Sequence, residues 1–207
     1  MIETHPNSYF ITFEGTDYSG KSTQAKLLYN KLYDLGLKVI LTKEPGNEYC
    51  ESAELFKDLI FSEYFNTCDR SKFFSFLADR SDHCLQVIIP KLQDGFIVIC
   101  DRFFDSTLVY QTEELRIMRQ ALIDNGYNHN EVSNEKFKLD LMKFSSFGLV
   151  PNTTILLDIN SESIQKRMKN REETNIYDKK TINFHSETVD KYRKLSFIYP
   201  ERIKLIN

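Results

Sequence analysis

Apolar residues recur along this chain in two rhythms: short runs dense in β-branched and aromatic side chains, and longer stretches spaced by three and four. Tyr9-Phe10-Ile11-Thr12-Phe13 is the first short run and suits a strand buried on both faces. Leu27, Leu28, Leu32 and Leu35 follow at helical spacing across 23–35, Gly36 ends that helix, and residues 37–42 begin a second strand. Strand, helix, strand predicts two parallel strands joined by a right-handed crossover. Helical patterns continue over 52–62 and over 69–93, the latter rich in aromatics, with Pro90 set to kink or close its last turn. Residues 96–100 read as a central strand, 153–159 as a fourth strand and 202–206 as a fifth, with further helices over 113–123, 134–144, 161–170 and about 184–195. The sum is an α/β, doubly wound fold of about five parallel strands flanked by helices. At 207 residues without repeat or linker, one domain is expected.

The turn between the first strand and helix carries the most specific chemistry. Gly15, Thr16, Asp17, Tyr18, Ser19, Gly20, Lys21 and Ser22, followed by Thr23, match G-x-x-x-x-G-K-[ST] in the strand-to-helix context that the motif requires. Backbone N–H groups there converge on phosphate oxygens, and the helix N-terminus adds partial positive charge. Lys21 would reach the β and γ phosphates, and the Ser22 hydroxyl would sit on magnesium.

Composition narrows the ligand. A formal charge of -3 argues against nucleic acid as a partner while leaving small phosphorylated ligands open. Cys50, Cys68, Cys84 and Cys100 show no metal-ligand spacing and read as reduced thiols, and no apolar run is long enough for a membrane span. Residues 1–8 lack the apolar core of a signal peptide, so a cytoplasmic protein is expected.

Several further positions admit two readings from spacing alone. Phe76 and Arg80 share a helix face, either as a stacking surface with a cationic fork for a base or as core with a salt bridge. Asp101 and Arg102 end the central strand, either to hold metal and phosphate or as a solvated pair. Ser106 and Tyr110 lie four apart, as ligand contacts or as a cap and a packing ring. Lys166, Arg167, Lys169 and Arg171 make a basic segment around 166–180, a lid over phosphates or a solvated face. Residues 112–148 suggest no chemistry, His129 reads as solvated, and His83 and His185 lack partners at metal or triad spacing.

Taken in order, Phe13-Glu14-Gly15 with Ser19 to Thr23, Lys43-Glu44-Pro45-Gly46, Phe76 with Ala78-Asp79-Arg80, and Asp101-Arg102-Phe103 with Asp105-Ser106 and Tyr110-Gln111 resemble the thymidylate kinases. These belong to the nucleoside-monophosphate kinase group, and the likeness spans nearly the whole chain. It implies ATP-dependent phosphorylation of dTMP to dTDP with Mg2+, and a homodimer packed through helices such as 69–93. It also implies that Phe76 stacks on thymine, that Arg80 and Ser106 contact the base or its surroundings, and that Tyr110, beside Gln111, blocks a ribose 2'-hydroxyl. Asp17 would meet the sugar 3'-hydroxyl, Arg102 the acceptor phosphate and Asp101 the metal.

The chain departs from that pattern in places. Lys43 stands where the family usually has arginine, Asn47 replaces a second glycine, and Ile176 aligns with a lid arginine of bacterial members. Tyr18 occupies a loop position that is arginine in some members, so the transition-state cation is expected from the basic segment, with Arg171 first, then Arg167 and Lys169. The chain ends at Asn207 where relatives continue into a helix, which leaves the phosphate-donor preference open. A broader deoxynucleoside-monophosphate kinase and a nucleotide-binding protein without turnover are the alternatives. No Asn-Lys-x-Asp signature of a GTP switch occurs.

Overall fold

The five short apolar runs become the five strands of one parallel sheet in the computed structural model, which describes residues 2–62, 67–130, 132–169 and 180–207. They are β1 (Tyr9–Glu14), β2 (Val39–Lys43), β3 (Ile97–Asp101), β4 (Thr153–Leu157) and β5 (Ile203–Ile206), and they lie side by side as β2-β3-β1-β4-β5. Phe13 of β1 stands in register with Asp101 of β3, and Lys43 of β2 pairs with Asp101 from the other side. Three strand ends therefore open on the same edge of the sheet, where open α/β folds bind ligands.

Parallel strands need crossovers, and helices supply them. In chain order these are α1 (Lys21–Asp34), α2 (Ala53–Phe61), α3 (Asp69–His83), α4 (Ile89–Gln93), α5 (Phe104–Tyr110), α6 (Thr112–Asp124), α7 (Asn134–Ser145), α8 (Ser161–Met168) and α9 (Ile182–Ile198). Alternate strand residues face opposite layers, which is why each strand reads as continuously apolar. Phe10, Ile40, Val98, Cys100 and Leu156 pack into a large core with Phe73, Leu92, Phe103, Phe104 and Met142. Phe13, Val39 and Ile99 face the other way, onto Ala25, Leu28 and Leu32 of α1.

The long helix expected over 69–93 is present, with a change of pitch inside it. After α3, residues Cys84–Ile88 form wider π-helical turns, and Ile89 N–H reaches the Cys84 carbonyl. Pro90 follows at the start of α4. A proline ring crowds the carbonyl four residues back and brings no N–H, and the wider turn accommodates both. The last helix begins at Ile182, earlier than its apolar pattern suggests, because the Thr181 side chain accepts from Phe184 N–H and caps it. The middle segment forms the two helices expected, α6 and α7, which bury Leu115 and Met142 in the large core.

Candidate active site

β1 delivers the phosphate loop. Gly15 (φ 144°) lies so close to the Leu157 carbonyl and Ser19 Oγ that a Cβ would sit 2.8 Å from each, so only glycine passes here. Lys21 opens α1 almost fully buried, donating to the Thr16 carbonyl at 3.2 Å and standing 3.7 Å from Asp17. Burial, then Arg102, lowers its ammonium from the ordinary lysine range, while Asp17 and Asp101 oppose the shift. An open cleft of about 890 Å³ lies over the loop from Tyr18 to Gln24, with Ser163, Lys166 and Arg167 on its far side.

At the floor of the loop, Ser22 Oγ donates to Asp101 Oδ2, and Asp101 Oδ1 is buried with no hydrogen-bond partner among the described residues. A hydroxyl and a carboxylate with an uncommitted oxygen form a hard-oxygen donor set that fits magnesium.

A second, narrower cavity of about 110 Å³ opens between α3 and α5. Phe76, Arg80, Arg102, Ser106, Tyr110 and Gln111 all line it, together with Asp17, so the structure brings these expected residues into one pocket. Arg102, in the left-handed region at φ 72°, extends across it. Its Nη2 donates to Asp17 Oδ1 at 2.6 Å and its Nη1 to the Gly15 carbonyl, Ser106 Oγ and Tyr192 Oη at 3.2, 3.0 and 3.3 Å. Burial alone would raise the Asp17 carboxyl, but Arg102 and Lys21 outweigh it and hold that group well below the usual carboxylate range. Burial pushes the Tyr110 phenol up, so it stays a neutral hydroxyl.

Arg80 is only 2 % exposed. Its Nε donates to Glu44 Oε2 at 2.9 Å, its Nη1 to Thr107 Oγ1 at 3.1 Å and weakly to Met142 Sδ at 3.9 Å, and it lies 5.4 Å from the Phe103 ring. Arg80 is thus salt-bridged, as the core reading of the Phe76–Arg80 spacing expects, and it also lines the cavity. The segment without evident chemistry contributes Met142 to this residue's surroundings.

Several further residues shape the site through partners distant in the chain. Glu14 accepts from Phe103 N–H at 2.8 Å, from Ser106 Oγ at 2.7 Å and from Tyr192 Oη at 2.8 Å, locking the start of α5 to β1 and α9. Burial and then Asp105 push its carboxyl up to about 7, against Arg102. Asp105 in turn takes two hydrogen bonds from Arg202, at 2.5 and 2.8 Å. Glu44, His83 and Cys100 bring three potential ligand atoms within 4.8 Å. Each is already engaged, with Arg80, with Thr42 and Glu44, and with the Arg102 carbonyl respectively. The other buried histidine, His185, stands 3.3 Å from Thr16 Oγ1, whereas His129 is exposed as expected.

Some expected residues lie elsewhere. Lys43 is exposed at the end of β2 and does not line the narrower cavity. Arg167 does reach the loop, donating to the Tyr18 carbonyl at 2.6 Å. Lys169 is exposed, and Arg171 and Ile176 lie outside the described residues. Tyr18 lines the cleft, yet its ring is buried against α8 and α9.

An all-parallel sheet with a phosphate loop at the end of its central strand and a second pocket beside it defines a phosphotransferase of the P-loop kinase class. The thymidylate kinase family model matches residues 13–207, and the chain belongs to that family. It is 37 % identical over 197 residues to the thymidylate kinase of Rickettsia typhi, covering 95 % of this chain and 87 % of the relative. With the thymidylate kinase of Orientia tsutsugamushi it shares 34 % over 204 residues, covering 96 % and 84 %. Among solved structures, thymidylate kinase from Ehrlichia chaffeensis superposes with a TM-score of 0.69 at 28 % identity, covering 98 % of this chain and 94 % of that one.

Proposed function

We propose that the chain transfers the γ-phosphoryl group of ATP to dTMP, giving dTDP and ADP, within one domain. Family membership makes ATP the donor and dTMP the acceptor. The observation that carries the reaction is the contact between the two cavities: Lys21 of the open cleft and Asp17 of the narrow pocket are 3.7 Å apart. A donor phosphate over Lys21 and an acceptor phosphate on Arg102 would meet there, as an in-line displacement requires.

In that arrangement Phe76 stacks on the base and Arg80, oriented by Glu44 and Thr107, hydrogen-bonds its edge. Arg102 takes the acceptor phosphate, and Asp17 takes the sugar hydroxyl. Ser106, committed to Glu14 and Tyr192, holds the pocket wall beside Tyr110 and Gln111. Ser22 and Asp101 would hold magnesium, which would supply positive charge against the donor phosphates. Arg167, from the basic segment 166–180, faces the phosphates; residues 170–179 of that segment lie outside the described ones. A hollow walled by Leu28, Ile155, Leu157 and Ile206 continues from Ser19 and Gln24 and suits the donor purine.

We also infer a homodimer, supported by Phe74 and Leu85, which leave the long helix about half exposed. A monomer in sedimentation at micromolar concentration would overturn that. No described helix is long and apolar enough to cross a membrane. A coupled assay over a panel of deoxynucleoside monophosphates, each with ATP and GTP, tests the reaction. It should show the highest kcat/KM for dTMP with ATP. Equal turnover of dCMP or dGMP would make the enzyme a broader kinase, and no turnover of any monophosphate would refute the proposal.

A further inference from the structure

Tyr18 is one of three non-glycine residues among those described with a positive φ, at 68°, a conformation that costs an ordinary side chain free energy. The residue is nevertheless buried, at 6 % exposure. It packs with Ile159, Ile164 and Val189, and meets the His185 ring edge-on at 5.4 Å. Those partners come from the turn just after β4, from α8, which begins the basic segment, and from α9, which follows it. His185 in turn holds Thr16 of the same loop.

The backbone of this residue does something separate. With the ring fixed in the apolar pocket, its carbonyl points to α8 and accepts from Arg167 Nη1 at 2.6 Å. That guanidinium lies against Gly20, where a Cβ would be only 3.4 Å from Nη1. Arg167 is therefore held at the mouth of the phosphate cleft before any ligand arrives, although its own side chain is long and exposed. Fixing such a side chain in advance saves the rotamer entropy that binding would otherwise cost.

We propose that Tyr18 is a positioning residue: its buried ring sets the loop carbonyl that holds Arg167 over the donor phosphates. The proposal rests on those phosphates lying in this cleft. It goes beyond the assignment of Arg167 by naming what aims it. The basic group and the phosphate loop are one preassembled unit, joined through an aromatic anchor whose side chain packs against α8 and α9.

A double-mutant cycle in ATP affinity, measured by titration calorimetry, tests this. Tyr18→Ala and Arg167→Ala should each weaken ATP binding about fivefold to tenfold, and the double variant should be no weaker than either single one. Tyr18→Phe, which keeps the ring, should lose less ATP affinity than Tyr18→Ala. Tyr18→Leu fills part of the pocket and guards against loss of fold, and should show the same coupling at smaller amplitude. Losses that multiply in the double variant, or parent-like affinity in both Tyr18→Ala and Tyr18→Leu, would overturn the proposal, since a ring that merely packs has no reason to act through Arg167. Turnover of dTMP by the parent is measured separately, so failure of the kinase assignment and failure of this coupling are told apart.

Discussion

The two cavities that meet at Asp17 are built on opposite plans. On the acceptor side the space is small, and its cationic groups are committed to protein partners: Arg80 to Glu44 and Thr107, Arg102 to Asp17, Ser106 and Tyr192. On the donor side the cleft is several times larger, Lys166 and Arg167 are exposed, and Asp101 keeps a buried oxygen without a described partner. A pocket that must distinguish one base from another gains from fixed donors, because a wrong ligand leaves buried polar groups unpaired. A site that holds a triphosphate and a metal can anchor one cation, Arg167 on the Tyr18 carbonyl, and leave groups such as Lys166 and the open Asp101 oxygen to be arranged by the ligand's own charge.

The largest effect expected from this contrast is on the donor side. Lys21→Ala should lower kcat by about 10²–10³ while leaving the fold intact, because the ammonium faces the phosphate loop and packs no core. Near-normal turnover, with a normal circular dichroism spectrum, would remove the loop from the chemistry. On the acceptor side, Phe76→Ala and Arg80→Ala should raise KM for dTMP about tenfold or more with little change in KM for ATP. Arg80→Ala should also lower the unfolding temperature, since it strands the Glu44 carboxylate in the interior, whereas Phe76→Ala should not. If both substrates' KM values rose together in Phe76→Ala, the division into two independent plans would fail.

The smallest effect is one of pH, and it belongs to the acceptor side alone. Asp79 accepts from Gly46 N–H at 3.2 Å, and burial, then the nearby Glu44, raises its carboxyl from 3.8 to about 7. The folded protein thus holds a proton that the unfolded chain releases, so the associated stability is complete below about pH 4 and is lost as pH rises through 7. Asp79→Asn keeps the oxygen that Gly46 needs and carries no charge. Its unfolding temperature should match the parent's near pH 4 and exceed it increasingly as pH rises, by about 3–6 °C or more at pH 8. Glu14 titrates in the same window and will leave some slope in both proteins. Parallel curves from pH 5 to 8 would show that Asp79 does not hold the proton.

The same division governs what the sequence discloses. The donor side is legible because eight consecutive residues, Gly15 to Ser22, carry it on a strand, a turn and a helix that the apolar pattern marks clearly. The acceptor side is assembled from elements far apart in the chain. Arg80 meets Glu44 across 36 positions and Met142 across 62, and Glu14 meets Tyr192 across 178. No spacing rule reaches over such separations. Phe76 and Arg80 were visible as a helix face, but Glu44 and Thr107 were not visible as what fixes the guanidinium. Glu14, an acid ending an apolar strand, was the one local sign of the network beneath the site. The ring of Tyr18 shows the converse limit: the motif locates its backbone, while only the packing of α8 and α9 shows where its side chain goes.

The wide turn at Cys84–Ile88 bears on how such a site can change over time. One extra residue in a helix rotates everything beyond it by about 100°. Before it, Phe73, Leu77 and Arg80 turn inward, and regular spacing continued from them through Cys84 and Val87 would bring Lys91 inward; instead Leu92 is buried and Lys91 lies over the Phe96 ring. The helix therefore works like a shaft with a coupling in it, one end keyed to the substrate pocket and the other to the sheet. Drift in the packing of the far end need not be answered by compensating change at Phe76 and Arg80, so the recognition face can be conserved while its foundation is rebuilt.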